Sequence, residues 1–316
     1  MKILVLGNSG IFQKRVLPIL NQCGFSKLDI ASASGRAVAD EYASFVGNSY
    51  TGYADAIKKT DADVAYVSST NNLHYELARE ALKRGLHTIV DKPAFMTFAQ
   101  ADELTELAAR NNLCLAEATV YEYHPQIART KKIFQDSGTS PTRITSVFSM
   151  PPLPENNFRY RKALGGGAVM DTGAYALSPG RIFFDKSIET LNAFILSSAE
   201  EVETSYSMLV KYEGNCSLVG HFGFDTEYRN RIEILGPELC VYFDRVFTTT
   251  PDLVNEITVI SKNKQRTELV ESADSFFNFF SEVAQGINSG LVSRYSEKLL
   301  QDAKAMDLLI RSVQIS

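Results

Sequence analysis

The 316-residue chain has little of what marks a membrane, secreted or nucleic-acid-binding protein. No apolar run is long enough to cross a bilayer, and the N-terminal run, Lys2 to Leu6, is too short for the core of a secretory leader. Only four cysteines occur, Cys23, Cys114, Cys216 and Cys240, and none stand in a Cys-x-x-Cys spacing. That excludes a disulfide framework and a thiolate zinc centre, so no metal is expected, and it implies reduced thiols in a cytoplasmic protein. Basic residues are not in excess. The formal net charge of -5 argues against nucleic acid or an anionic membrane as partner. There is no internal repeat and no low-complexity tract. What remains is an ordinary soluble composition, 45% hydrophobic and 22% charged, at a length that fits two domains or one large one.

The first third of the chain alternates strands with helices. Lys2 to Leu6 reads as a buried strand, and a helical stretch to about Asn21 follows, with Pro18 expected to kink it. Gly7, Asn8, Ser9, Gly10 and Ile11 join the two, and free N–H groups at such a helix start can hold a pyrophosphate. Ser9 and Phe12 replace two glycines of a complete G-x-G-x-x-G, so a plain β–α turn is the competing reading. A second strand, Leu28 to Ser32, lacks the carboxylate that NAD-binding proteins place at its end for the ribose. Ser32, Ser34 and Arg36 stand there instead. Hydroxyls and an arginine suit a 2′-phosphate, so NADP(H) is expected ahead of NAD(H); a generic polar loop is the alternative. Further strands are read at Val64 to Val67, Leu86 to Val90 and Leu113 to Ala116, with helices at Asn72 to Arg84 and Phe98 to Arg110. The last helix has a capping-box start, Thr97 followed by Gln100. This alternation predicts a doubly wound parallel sheet. The polar residues at its strand ends, Thr70, Asn71, Asp91, Lys92 and Glu117, should converge on one edge.

After about Tyr123 strand-like runs dominate: 143–149, 190–197, 204–212, 216–224, 231–235, 239–243 and 256–261. Runs this close predict an α+β domain with a large, mostly antiparallel open sheet. The expected division is a dinucleotide-binding domain over 1–122 and a second domain over 123–293. The final helix, within 294–316, would return to cover the first domain. Gly165-Gly-Gly-Ala-Val-Met-Asp171-Thr-Gly173-Ala-Tyr175 enters a helix to about Phe184, and Asp171 and Tyr175 share a face of it.

On these stretches the chain resembles the glucose–fructose oxidoreductase, inositol dehydrogenase and rhizopine-catabolism family of nicotinamide-dependent sugar oxidoreductases. Asp91-Lys92-Pro93 stands where the family usually has Glu-Lys-Pro, and the glycine run matches its Gly-Gly-Gly-x-x-x-Asp-x-Gly-x-Tyr/His motif. Val67-Ser-Ser-Thr-Asn71-Asn-Leu-His74 is similar to its turn after the fourth strand, which adds His74 to the cofactor site. Within the family the resemblance is to nucleotide-sugar 3-ketoreductases. It is carried by Lys14-Arg15-Val-Leu17-Pro18, Glu117-Ala-Thr-Val-Tyr121-Glu-Tyr-His124-Pro125-Gln126, and Arg229-Asn-Arg231 with Asp244-Arg245-Val-Phe247-Thr248. Glu122 departs from the arginine that related sugar dehydrogenases often carry.

The resemblance implies a Rossmann domain and a substrate domain whose open sheet often forms a homodimer or homotetramer. It implies reduction of the C3 keto group of a nucleotide-linked keto-deoxyhexose by NADPH. Lys92 would stabilise the alkoxide and lower the pKa of Tyr175, the proton donor. Asp171 would orient Lys92 or a sugar hydroxyl. Asp91 would bond a nicotinamide or ribose group or compensate charge. Tyr121 and His124 belong to the matched substrate segment. Arg159 and Arg161 suit a sugar diphosphate, against a solvated basic turn as the plain alternative. Two rivals remain: a dehydrogenase of a free or phosphorylated aldose or polyol, and, from a different class, a sugar or cofactor sensor without turnover.

Overall fold

The computed structural model describes residues 1–33 and 38–315, in two compact units. Ser34 and Arg36 lie outside the described residues. The first unit comprises Met1–Thr119 and Phe276–Ala303; the second comprises Val120–Ser275 and the chain from Lys304 onward.

The first unit is built on six parallel strands: β1 (Lys2–Leu6), β2 (Lys27–Ala31), β3 (Val46–Tyr50), β4 (Val64–Val67), β5 (His87–Val90) and β6 (Leu115–Glu117). Their order is β3-β2-β1-β4-β5-β6. The order reverses between β1 and β4, the switch point at which open α/β sheets bind ligands. Helices α1 (Tyr53–Lys59), α2 (Asn71–Lys83) and α3 (Phe98–Arg110) connect the strands. Thr97 accepts from the Gln100 N–H at 3.3 Å, and Gln100 reaches back to the Met96 N–H at 3.1 Å, one residue beyond a strict capping box. The expected first helix is instead a wide π-type segment, Phe12–Val16, followed by a tight 3₁₀ segment, Leu17–Cys23. Pro18 stands at the start of the second, where its missing N–H costs least.

The second unit carries β7 (Arg143–Ser149), β8 (Ile188–Ala199), β9 (Val202–Tyr212), β10 (Cys216–Gly223), β11 (Arg229–Gly236), β12 (Leu239–Asp244), β13 (Asn255–Ser261) and β14 (Lys264–Val270). The sheet order is β14-β13-β12-β11-β7-β10-β9-β8. Every pairing is antiparallel except β7 with β10. Helices α4 (Pro125–Asp136) and α5 (Ala168–Phe184) cover one face. Helix α5 lies so close that a Cβ at Gly180 would come within 2.0 Å of the Tyr212 hydroxyl oxygen on β9.

Four elements escape the hydrophobic pattern. Strands β3 and β14 lie at sheet edges and are largely exposed, so they lack a buried stripe. Helices α1 and α4 were not legible either: α1 is only 7 residues long and α4 follows the matched His-Pro segment. The sequence assigns the stretch before 294 to the second domain, whereas α6 (Ser275–Ser289) falls almost wholly in the first unit. There Phe280 meets Tyr66 edge to face at 5.2 Å, and the Phe277 carbonyl accepts from Cys23 Sγ at 3.6 Å. The last helix, α7 (Ser293–Ile315), divides its residues between the units after Ala303.

His124 caps α4: its Nδ1 accepts from the Gln126 N–H at 3.3 Å, and Pro125 occupies the first turn. The ring is buried, Nε2 has no hydrogen-bond partner, and burial lowers the pKa from 6.5 to about 4. A lowered histidine pKa means that the unfolded chain binds the proton more tightly. The stability of the neutral ring is therefore complete above pH 6.5 and lost as pH falls toward 4, by about 3 kcal/mol at most. His124→Asn keeps a capping oxygen and removes the titration. Urea midpoints measured from pH 7 to 4 should fall less steeply in the variant; identical pH slopes would contradict this assignment.

Candidate active site

In the first unit the site is built at the ends of β1, β4 and β5. Gly7 ends β1 with φ +117°, and a Cβ there would sit 2.1 Å from the Ser68 carbonyl oxygen, so only glycine lets the two strand ends meet. Ser9 fastens the turn: its hydroxyl lies 2.7 Å from that of Ser68 and accepts from the Phe12 N–H at 3.0 Å. The Asn8 side chain accepts from Gln13. At Gly10 an added Cβ would meet nothing within 4 Å, and the Ile11 side chain is exposed, so the turn is open on that side. Ser32 follows β2; it is buried, and its N–H bonds the Tyr50 carbonyl at 3.1 Å.

The Asp91-Lys92-Pro93 element follows β5, with a cis bond between Lys92 and Pro93. Both Asp91 oxygens are taken by donors of the protein. The Tyr66 hydroxyl bonds one, and the Ser68 hydroxyl bonds the other at 2.7 Å. Loss of solvent pushes the Asp91 carboxyl above the usual carboxylate range, and these two hydrogen bonds oppose that shift. Burial raises the Tyr66 phenol well above its ordinary value, so it remains a donor. Beyond the proline, Glu117 accepts from the Ala94 N–H at 2.8 Å and from the Thr119 hydroxyl at 2.6 Å. His74 on α2 lies between the Pro93 carbonyl, 2.9 Å from Nδ1, and the Ser69 carbonyl, 3.2 Å from Nε2. Asp91, Glu117 and His74 therefore brace the segment that presents Lys92. Thr70 begins α2, and Asn71 is buried in its first turn.

In the second unit Asp171 and Tyr175 lie one turn apart on α5. Gly167 caps this helix without a side chain, and Glu203 of β9 supplies the missing acceptor, bonding the Val169 N–H at 2.9 Å. A Cβ at Gly167 would lie 2.4 Å from that carboxylate oxygen. Just upstream, the Gly167 N–H bonds the Arg159 carbonyl at 2.9 Å and the Gly166 N–H bonds that of Arg161 at 3.1 Å. The glycine run thus folds the Arg159 loop onto the helix start. Arg159 Nε reaches Asp171 at 2.8 Å, with both side chains largely buried, and its guanidinium stacks on Phe158 at 4.9 Å. The Asp171 charge, aided by that of Tyr175, raises the Arg159 pKa against the opposing effect of burial.

Tyr175 sits in an aromatic nest, with ring centroids 5.2 Å from Phe148, 5.2 Å from Phe247 and 5.9 Å from Tyr121. Tyr121 is buried and its hydroxyl bonds that of Ser178 at 2.6 Å, so it packs the nest from behind. Its neighbour Glu122 pairs with Arg181, one turn after Ser178 on α5. Arg161 is exposed and His124 is the buried cap described above. Tyr66, Glu203 and Arg181 escaped the sequence reading. Each acts through a partner distant in the chain, and no local pattern marks such a pairing.

Residues 1–119 match the model of an oxidoreductase family with an NAD-binding Rossmann fold, and residues 139–240 match the GFO/IDH/MocA C-terminal domain. A dTDP-3,4-didehydro-2,6-dideoxy-alpha-D-glucose 3-reductase of Saccharopolyspora spinosa is 30% identical over 253 residues, 78% of this chain and 76% of the relative. A D-xylose 1-dehydrogenase (NADP(+)) of Haloferax volcanii is 25% identical over 316 residues, 98% of this chain and 96% of the relative. A 3-ketoreductase from Actinomadura kijaniata, solved in complex with NADP and TDP-benzene, superposes with a TM-score of 0.90 at 25% identity, covering 100% of this chain and 97% of that one. With its braced Lys-Pro element, its glycine-run helix and these matches over both units, the chain belongs to the GFO/IDH/MocA family of oxidoreductases.

Proposed function

We propose that the protein is an NADPH-dependent reductase acting on the C3 keto group of a nucleotide-linked keto-deoxyhexose. The observation that carries this reading is the support given to each reacting group. Asp91, Glu117 and His74 hold the loop of Lys92, while Phe148, Phe247 and the Arg159–Asp171 pair surround Tyr175. The substrate class follows from the 3-reductase and 3-ketoreductase relatives.

The turn from Gly7 to Ile11 is open at Gly10 and would hold the cofactor pyrophosphate, with Ser32 next to the adenosine ribose. Thr70, Asn71 and Asp91 would line the path toward the nicotinamide, which supplies a hydride when bound. Lys92 donates a hydrogen bond to the ketone oxygen and stabilises the negative charge that develops there. Tyr175 delivers its phenolic proton to that oxygen. Asp171 is engaged by Arg159, so its part is to fix Arg159 beside Tyr175 and to offer its remaining lone pairs to a sugar hydroxyl. The open face of the eight-stranded sheet, with Phe194, Leu209 and Val219 exposed, supports association of copies into a dimer or tetramer. The free cysteines, and the absence of a membrane-spanning helix among the described residues, support a cytoplasmic enzyme.

The xylose dehydrogenase relative favours a second reading, oxidation of a free aldose. One assay tests the cofactor assignment, and a second separates the two readings. NADPH should bind more tightly than NADH, and Ser32→Asp should narrow the gap by repelling the 2′-phosphate. Tighter NADH binding in the unmodified protein would contradict the cofactor assignment. The nucleotide-linked keto-sugar should be turned over far faster than D-xylose is oxidised; the reverse order would support the dehydrogenase.

The catalytic pair is tested by single-turnover hydride transfer. Tyr175→Phe keeps the ring in its nest and removes the acid, so the rate should fall by about 10²–10⁴. Lys92→Ala should cost at least about 10²–10³. Because both act on one oxygen, the double variant should lose much less than the product of the single losses. Near-normal rates in either single variant, with NADPH binding intact, would remove that residue from the mechanism.

A further inference from the structure

Asn230 is the node of a second polar cluster on the helix-covered face of the large sheet. It stands directly across from Phe148, whose ring packs on Tyr175. Asn230 is buried and every polar group it owns in this cluster is used. Its side-chain oxygen accepts from the Phe247 N–H at 3.0 Å, and its amide donates to Thr248 at 2.8 Å and to the Tyr228 hydroxyl at 3.1 Å. Its backbone carbonyl accepts from the Arg245 N–H at 2.7 Å. One residue thus fixes Arg245 through its carbonyl, and Phe247 and Thr248 through its side chain, relative to the wall of the tyrosine nest.

Arg245 follows β12 in a left-handed backbone conformation, φ +56°. Arginine has no intrinsic preference for that region, so the surrounding contacts hold it there. Its guanidinium lies 4.6 Å over the Tyr228 ring, and Nη1 donates to the Tyr228 hydroxyl at 3.0 Å. The side chain is exposed, and among the described residues no carboxylate lies within ion-pair distance of it. Its neighbours differ in this respect. Arg229 and Arg231 share Asp244, and Arg159 is committed to Asp171. Arg245 is therefore a rigidly held cation with most of its donors unspent, two residues from a wall of the tyrosine nest. A planar fork of donors fixed in this way matches the oxygens of a phosphate group.

We propose that Arg245, braced on Tyr228, binds the diphosphate of the substrate. The nucleoside diphosphate then lies over Tyr228 and Thr248, and the attached sugar reaches toward Tyr175. This inference rests on the nucleotide-sugar reading above and assigns the diphosphate to an arginine other than Arg159 and Arg161. Tyr228 supplies a stacking platform and holds the fork in place; Thr248 offers a hydroxyl beside it.

Calorimetric titration of the full-length protein with dTDP, UDP and NADPH tests this. Arg245→Asn is the variant of choice, because asparagine tolerates the left-handed backbone. It should raise the Kd for dTDP by about 10- to 100-fold, the worth of lost charged hydrogen bonds, and leave the Kd for NADPH unchanged. Arg245→Lys keeps the charge without the fork and should fall between wild type and Arg245→Asn. Tyr228→Phe should weaken dTDP by only a few-fold, because the ring remains. Wild-type protein that binds dTDP, together with both Arg245 variants at wild-type affinity, would overturn the proposal alone. Wild-type protein that binds neither dTDP nor UDP would overturn the nucleotide-sugar reading, and this proposal with it.

Discussion

The carboxylate of Asp91 is the constraint on which the first unit's site depends. It stands one residue after a buried strand and is gripped by Tyr66 and Ser68 from the strand beside it. Ser68 is itself tied to Ser9, so the same chain of hydroxyls joins the Lys-Pro element to the turn after β1. Removing the Asp91 carboxylate would take away the acceptor that the Tyr66 and Ser68 hydroxyls now share, at a cost of about 1–3 kcal/mol for a hydroxyl left unpaired. It would also free the backbone that carries Lys92. The short aspartate side chain is met by donors that come close enough to bond both of its oxygens.

The second unit solves the same problem by different means. As the proposed proton donor, Tyr175 needs a fixed ring and a hydroxyl with a charge nearby. The ring is fixed by edge-to-face and tilted contacts with Phe148, Phe247 and Tyr121, a geometry that aromatic quadrupoles favour. The charge comes from Arg159, which the glycine run folds back onto the start of α5 and which Asp171 anchors. A buried ion pair of this kind is weak evidence for stability, because desolvation offsets much of the attraction. Its value lies in position: it brings an arginine within electrostatic reach of Tyr175, four residues along the helix from Asp171.

Much of this architecture was legible in the sequence because it rests on short-range signals. Buried strands β1, β4 and β5 read as apolar runs, and α3 announced itself through Thr97 and Gln100. The exposed edge strands β3 and β14 carry no such stripe. Long-range pairings were equally silent. Nothing near Val169 shows that Glu203 will cap its helix, and nothing near Glu122 shows that Arg181 will meet it. Arg159 was legible as a cation beside the glycine motif but not as the partner of Asp171, since the loop must close before the two meet. His124 read as a residue of the substrate segment, whereas its burial and its bond to Gln126 make it a helix cap.

The central claim is that Lys92 and Tyr175, each braced within its own unit, act on one substrate oxygen. A crystal structure of the protein with NADP⁺ and the reduced dTDP-sugar tests this most directly. The account predicts Lys92 Nζ and Tyr175 Oη both within about 3.2 Å of the C3 hydroxyl oxygen. A complex in which either group is held away from that oxygen while the sugar carbon faces the nicotinamide would contradict it.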